Sequence, residues 1–235
     1  CVMHDVCLQR LPVLFCLDRA GVVGSDGSTH HGIYDIAMLR CLPHLTLMQP
    51  KDARELAAMM KTALKHDGPV AIRYPREPGP SVDLGPDIAP LPIGVAETVV
   101  EPEEADGSAV WFWALGDMLP LACETAALLR AAGVRCGVVN ARFIKPLDTG
   151  RLWAQARQGA RFVTLENGAV AGGFGSAVRE ALAAGGFDTP VRVCGWPDEF
   201  VGQGTTRQLM QDHGLTPERL AQEVGGTSGL HPGRE

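Results

Sequence analysis

The sequence predicts an α/β protein with parallel sheets, and three observations predict it. Apolar runs at 13–17, 45–48, 70–74, 109–115, 134–139, 161–165 and 191–194 have the length of buried strands. Segments with helical spacing separate most of them, and strands that alternate with helices make parallel sheets. Between 77 and 94 stand Pro78, Pro80, Pro86, Pro90 and Pro92, a density that neither helix nor strand tolerates. That stretch reads as a linker. It divides a first domain at 1–76 from a second at 95–224, and the Gly-, Ser- and Pro-bearing end at 225–235 reads as a disordered tail.

The elements follow in order. Val2, Met3, Val6 and Cys7 share one side of a helix that ends near Arg10, and a chain that starts inside an amphipathic helix without Met reads as a truncated piece of a longer protein. Strand 13–17 opens into a loop with glycines at 21, 24, 27 and 32. A short helix at 33–41 and strand 45–48 come next. Asp52 then caps a helix, with Glu55 three residues on as in a capping box. Leu56, Met59, Met60, Ala63 and Leu64 repeat at helical spacing and give that helix one buried face. Strand 70–74 delivers Arg76 just past its carboxyl end. In the second half, strand 109–115 leads to a helix at 119–132, and strand 134–139 leads to Asp148, the cap of a helix running to Arg157. Strand 161–165 precedes Gly172-Gly173-Phe174-Gly175 and a helix to Ala184. Strand 191–194 precedes two short helices, 205–213 and 217–224.

Apolar residues make up 46% of the 235 and the net charge is −6, which supports a sizeable core and argues against a nucleic-acid surface. The seven cysteines are scattered, with no C-x-x-C and no pairing with nearby His, so no structural metal site is indicated. No run approaches the roughly 18 apolar residues of a membrane span and no signal peptide is visible. The chain reads as soluble and cytoplasmic.

Four polar residues stand out. Arg19 and Arg76 each follow a strand of one sheet, which puts both at the carboxyl edge where open α/β sheets build their sites. Two guanidinium forks there suit a phosphate; the alternative is two ordinary salt bridges to the adjacent Asp18 and Glu77. His30, with Asp26 four residues earlier, suits proton transfer, against a purely structural role. His31 is the weaker candidate because successive side chains point apart. Gly172-Gly173-x-Gly175 lacks the dinucleotide spacing and reads as tight helix packing rather than an anion site. Glu166-Asn167 reads as a polar pair at a domain seam. No nucleophilic triad is visible, so any catalysis leans on a cofactor.

Asp18-Arg19-Ala20-Gly21, then Asp26-Gly27-x-Thr29-His30-x-Gly32, then Arg73-Tyr74-Pro75-Arg76 closely resemble the 1-deoxy-D-xylulose-5-phosphate synthase family. His4-Asp5-Val6, Gln49-Pro50-x-Asp52, Arg142-Phe143-x-Lys145-Pro146-Leu147-Asp148, Glu166-Asn167-x5-Gly173-x-Gly175 and Pro197-Asp198-x-Phe200 extend the resemblance from residue 1 to about 224. It implies the C-terminal part of a thiamine diphosphate pyrimidine-binding domain followed by a transketolase C-terminal-type α/β domain. It implies thiamine diphosphate and Mg²⁺ as cofactors, and pyruvate and D-glyceraldehyde 3-phosphate as substrates. The products would be 1-deoxy-D-xylulose 5-phosphate and CO2, feeding isoprenoid, thiamine and pyridoxal synthesis in a homodimeric transferase. By position, Arg19 and Arg76 would hold the acceptor phosphate, His30 would contact the pyruvate-derived intermediate with a hand in proton transfer, and Asp26 would orient the acceptor and modulate the donor intermediate.

The departures matter equally. The family's G-D-G…N diphosphate and Mg²⁺ motif is absent from the sequence. The cofactor-activating glutamate and the stacking aromatic would lie upstream of Cys1, and the cofactor-binding residues with them. Glu77 stands where the family usually has Gly, and His31 and Tyr34 also depart. The chain alone is expected to be inactive. Two alternatives share parts of this pattern: the beta subunit of a 2-oxoacid dehydrogenase, and a non-catalytic dimerisation module.

Overall fold

A computed structural model describes residues 1–103 and 108–226; the expected tail beyond 226 lies outside the described residues. The chain opens with a π-helical turn at Val2–Cys7, in which Leu8 N–H donates to Met3 O at 2.9 Å. This winding differs from the expected α-helix, and Met3 stands half exposed while Cys7 is buried. The first half then runs β1 (Leu14–Leu17), α1 (Asp35–Leu39), β2 (Thr46–Met48), α2 (Ala53–Lys65) and β3 (Val70–Arg73). The second runs β4 (Glu97–Val100), β5 (Val110–Ala114), α3 (Leu119–Ala131), β6 (Cys136–Asn140), β7 (Phe143–Lys145), α4 (Thr149–Arg157), β8 (Arg161–Ala169), α5 (Phe174–Ala184), β9 (Val191–Trp196), α6 (Thr206–Asp212) and α7 (Pro217–Gly225). Residues 77–94 carry no helix or strand.

The strands form two sheets, β1-β3-β2-β7 and β4-β6-β5-β8-β9. Most pairs are parallel, as alternation requires. Two are not: β4 pairs antiparallel with β6, and β7 antiparallel with β2. Neither β4 nor β7 is among the strands expected from sequence. Only Ala141 and Arg142 separate β6 of the larger sheet from β7 of the smaller one. Arg142 takes a φ of +59° between them, and the chain leaves the second sheet to close the edge of the first. The sheet of the first half is thus completed by a strand from the second.

Among the described residues, the buried apolar side chains form three clusters, one of which joins Leu45, Leu47 and Ala71 of the first half to Trp111, Trp113 and Phe162 of the second. Trp111, Trp113, Phe112, Phe162, Phe174 and Trp196 are buried on either face of the larger sheet. Each such side chain contributes on the order of 1.5–3 kcal/mol by leaving water. Asp52 caps α2 as expected, accepting from Glu55 N at 2.7 Å. Glu55, however, does not reach back to Asp52 N. Its carboxylate accepts from Lys51 N at 2.8 Å and from Arg142 Nε at 2.6 Å, tying α2 to the second half. Glu97 joins this cluster through Lys51 at 2.6 Å and Arg142 at 3.0 Å. Burial pushes the Glu97 carboxyl up, but its bonds to Lys51 and Asn140 and the Arg142 charge outweigh burial and hold it below the usual range.

Candidate functional site

Parallel pairing of β1 with β3 sets the site. Leu17 lies opposite Arg73, and beyond the strands Ala20 N donates to Tyr74 O at 3.0 Å, so the two chains stay together as they leave the sheet. Arg19 and Arg76 therefore emerge at the same edge, Arg19 with a φ of +59°. Between them the loop closes on itself. Gly21 and Gly32 exchange two backbone bonds of 2.8 Å, and a Cβ at Gly32 would stand 2.3 Å from Arg19 O, so only glycine allows the approach.

The loop carries Ser25, Asp26 and His30. Arg76 Nη1 donates to Asp26 Oδ1 at 3.0 Å and to Ser25 Oγ at 3.2 Å, while Arg19 pairs with its neighbour Asp18. Both arginines are about half exposed, with side chains 44% and 51% accessible, so each guanidinium keeps donors facing water. Asp26 turns to Arg76 rather than to His30, whose Nδ1 lies 3.0 Å from Thr29 Oγ1. Glu77 makes no ion pair with Arg76 among the described residues; it lines the cavities beside it. One, of about 820 Å³, lies among Ser25, Glu77, Glu124, Thr206 and Arg207, and a smaller one of about 390 Å³ shares Glu77, Asp117 and Pro120 with it.

Below the loop lies a polar network of which the sequence singles out Asn167 as a polar residue, with Arg73 and Gln49 named only within the motifs of the resemblance. Arg73 is fully buried, with Nε on Asp35 Oδ2 at 2.9 Å and Nη2 on the carbonyls of Gly32 at 3.0 Å and Asn167 at 2.9 Å. Arg73 Nη1 donates to Gln49 Oε1, and Gln49 Nε2 donates to Asp117 Oδ1 at 2.7 Å. Asn167 Nδ2 donates to Asp117 Oδ2 at 2.6 Å, and Asn167 Oδ1 accepts from Val22 N at 3.1 Å and Trp196 Nε1 at 2.7 Å. Burial pushes the Asp117 carboxyl above the usual range against these donors and the Arg73 charge. Asp117 does not stand out in the sequence. Its one signal is its place just past the carboxyl end of a central strand, after a glycine.

Gly172-Gly173-Phe174-Gly175 meets the expectation of tight packing. A Cβ at Gly175 would stand 2.4 Å from Val193 Cγ1, and one at Gly173 2.2 Å from Glu166 Oε2. The helix N-terminus does hold an anion, but an internal one. Glu166 accepts from Phe174 N at 2.6 Å and Gly175 N at 2.8 Å. No group of three or more His, Cys, Asp or Glu suited to a metal ion occurs among the described residues. These residues do not fit a metal–diphosphate site.

The chain is similar in sequence and fold to known proteins. Residues 1–80 match the transketolase pyrimidine binding domain and residues 100–220 the transketolase C-terminal domain. A 1-deoxy-D-xylulose-5-phosphate synthase of Heliobacterium modesticaldum is 49% identical over 94% of this chain, and one of Acaryochloris marina 49% over 96%. The chain spans only about a third of the length of these relatives, 33% and 35%. Among solved structures, a split gene transketolase in the form of an inactive beta4 tetramer matches with a TM-score of 0.82 and 32% identity, over 96% of this chain and 70% of that one. A transketolase mutant of Pichia stipitis matches at a TM-score of 0.69 and 19% identity over 94% of this chain and 31% of that one, which shows the shared fold. No helix among the described residues is long and apolar enough to cross a membrane.

Proposed function

The chain belongs to the transketolase family, and on that premise we propose that it forms the acceptor-binding part of a thiamine diphosphate-dependent 1-deoxy-D-xylulose-5-phosphate synthase. The reaction joins pyruvate to D-glyceraldehyde 3-phosphate with loss of CO2. The observation that carries this reading is the delivery of Arg19 and Arg76 to one sheet edge by paired strands, each with donors open to water. Two such cations suit a phosphate monoester, and charge-assisted bonds to it contribute about 1.5–3 kcal/mol each.

Arg76 already holds an anion, the Asp26 carboxylate. An acceptor phosphate takes that place with a higher charge, and Asp26 is then free to accept from the acceptor's hydroxyl groups. His30 is exposed at the loop tip, where its imidazole can pass a proton to or from the carbonyl oxygen that becomes an alcohol. Thiamine diphosphate, when bound, would supply the carbanion-stabilising chemistry, and its diphosphate with Mg²⁺ would be held by residues outside this chain. Those residues come from the remaining two thirds of a longer polypeptide or from a partner chain, and the chain alone is expected to be inactive. The likeness to a split gene transketolase that is inactive as a tetramer of one chain type favours the partner-chain form as the second reading. Supplying the complete enzyme with pyruvate, D-glyceraldehyde 3-phosphate and thiamine diphosphate tests the proposal. One CO2 and one five-carbon ketose phosphate per turnover are expected; turnover with a lipoamide acceptor instead would point to a 2-oxoacid dehydrogenase.

A further inference from the structure

His31 has a task that the proposed chemistry does not use. Val23 N donates to its Nδ1 at 3.0 Å, so Nδ1 carries no proton; Nε2 carries it and faces Gly202 O at 3.1 Å. One ring thus spans the whole turn from residue 23 to residue 31 and fastens it to the segment before α6. The fastening is reinforced on both sides. Gly204 N donates to Gly24 O at 3.2 Å, and Gln203 Nε2 donates to Ser25 O at 2.8 Å. The fit is close enough that a Cβ at Gly24 would stand 2.3 Å from Gly204 O. Tyr34, three residues on, donates to Glu199 O at 3.1 Å and sets its ring edge-on to Phe200. Between the two ends of the His31 bridge lie Asp26 and His30, on a turn whose Gly24 and Gly27 are buried while Ser25 and residues 28–30 are exposed.

We propose that His31 is a positioning residue, which presents Asp26 and His30 to the acceptor by clamping their turn onto the segment at 199–206. The inference rests on the proposed synthase function for its kinetic consequence, but not for its structural one. It predicts a chemical requirement: a side chain at 31 with one acceptor and one donor. Glutamine meets it; phenylalanine keeps the ring and meets neither.

The test compares H31F with H31Q in the complete enzyme, with amide exchange measured on the same samples. H31F should lower kcat/KM for D-glyceraldehyde 3-phosphate about tenfold or more, since misplacement of about 1 Å can cost a hundredfold. H31Q should stay within about twofold of the parent. Exchange at the amides of Asp26, Gly27 and His30 should quicken in H31F while those of β5 and β6 hold. Parental kinetics and exchange in H31F, or equal losses in both variants, would overturn the inference. An enzyme that forms no ketose phosphate at all would overturn the proposed function instead, and the exchange data would still decide the role of His31. Should H31F lose its fold as a whole, Q203A, which removes only the exposed bond to Ser25, carries the same exchange prediction at Asp26.

Discussion

Glu166 shows how one side chain can be both necessary and costly. Its carboxylate caps α5 through two backbone N–H groups, yet it is fully buried, and burial pushes its pKa up to about 7 despite those bonds and the charges of Arg73 and Arg40. The folded chain therefore binds more protons at this site than the unfolded chain between pH 4.5 and 7. Stability from Glu166 is greatest below that window and falls as pH rises through it, by about 3 kcal/mol at most. Urea unfolding of the parent and of E166Q at pH 5 and pH 8 checks this: the parent should lose stability relative to the variant on going up. Residue-level legibility was uneven for a physical reason. Arg19 and Arg76 could be found because each directly follows an apolar run, and local order placed them on one edge. Asp117, Gln49 and Arg73 meet only through packing between distant segments, which leaves no local spacing to read.

At the scale of elements, buried parallel strands and capped helices were legible because their causes are local. Asp148 and Asp52 cap α4 and α2 through the residue three positions on, at 3.0 and 2.7 Å, and the apolar runs became β1, β2, β3, β5, β6, β8 and β9. The antiparallel edge strands β4 and β7 were not legible. β7 spans three residues, and its strand character comes from β2 alongside it rather than from its own composition. α5 illustrates what the glycines are for. Gly175→Ala would drive a Cβ to 2.4 Å from Val193 Cγ1 on the edge strand β9 and 2.6 Å from Thr164 Oγ1 on β8. Such overpacking costs about 1–3 kcal/mol, to be seen as a lower urea midpoint with the m-value unchanged.

For the molecule as a whole, the two sheets are joined by chemistry as well as by chain. β7 closes the first sheet, Glu55 and Arg142 bridge α2 to the β6–β7 turn at 2.6 Å, and the Arg73–Gln49–Asp117–Asn167 network crosses the seam. Breaking such a buried network by removing one partner costs roughly 3–5 kcal/mol, too much for either half to lose the other freely. The described chain should therefore unfold in a single calorimetric transition, despite the Pro-rich stretch at 77–94. Two resolved transitions would mean that the seam carries little energy. The same coupling explains why the site loop is shaped from the second half, by Asn167 at Val22 and by Gly202, Gln203 and Gly204 around the turn.

In the proposed synthase, everything at the site turns on Arg76 and Arg19 holding the acceptor's phosphate. The most direct measurement is the KM for D-glyceraldehyde 3-phosphate in the complete enzyme carrying Arg76→Ala. Loss of one charge-assisted contact of about 1.5–3 kcal/mol predicts a rise of about 10- to 150-fold, with the KM for pyruvate unchanged. An unchanged KM for the acceptor would contradict this role and return Arg76 to the status of a surface ion pair with Asp26.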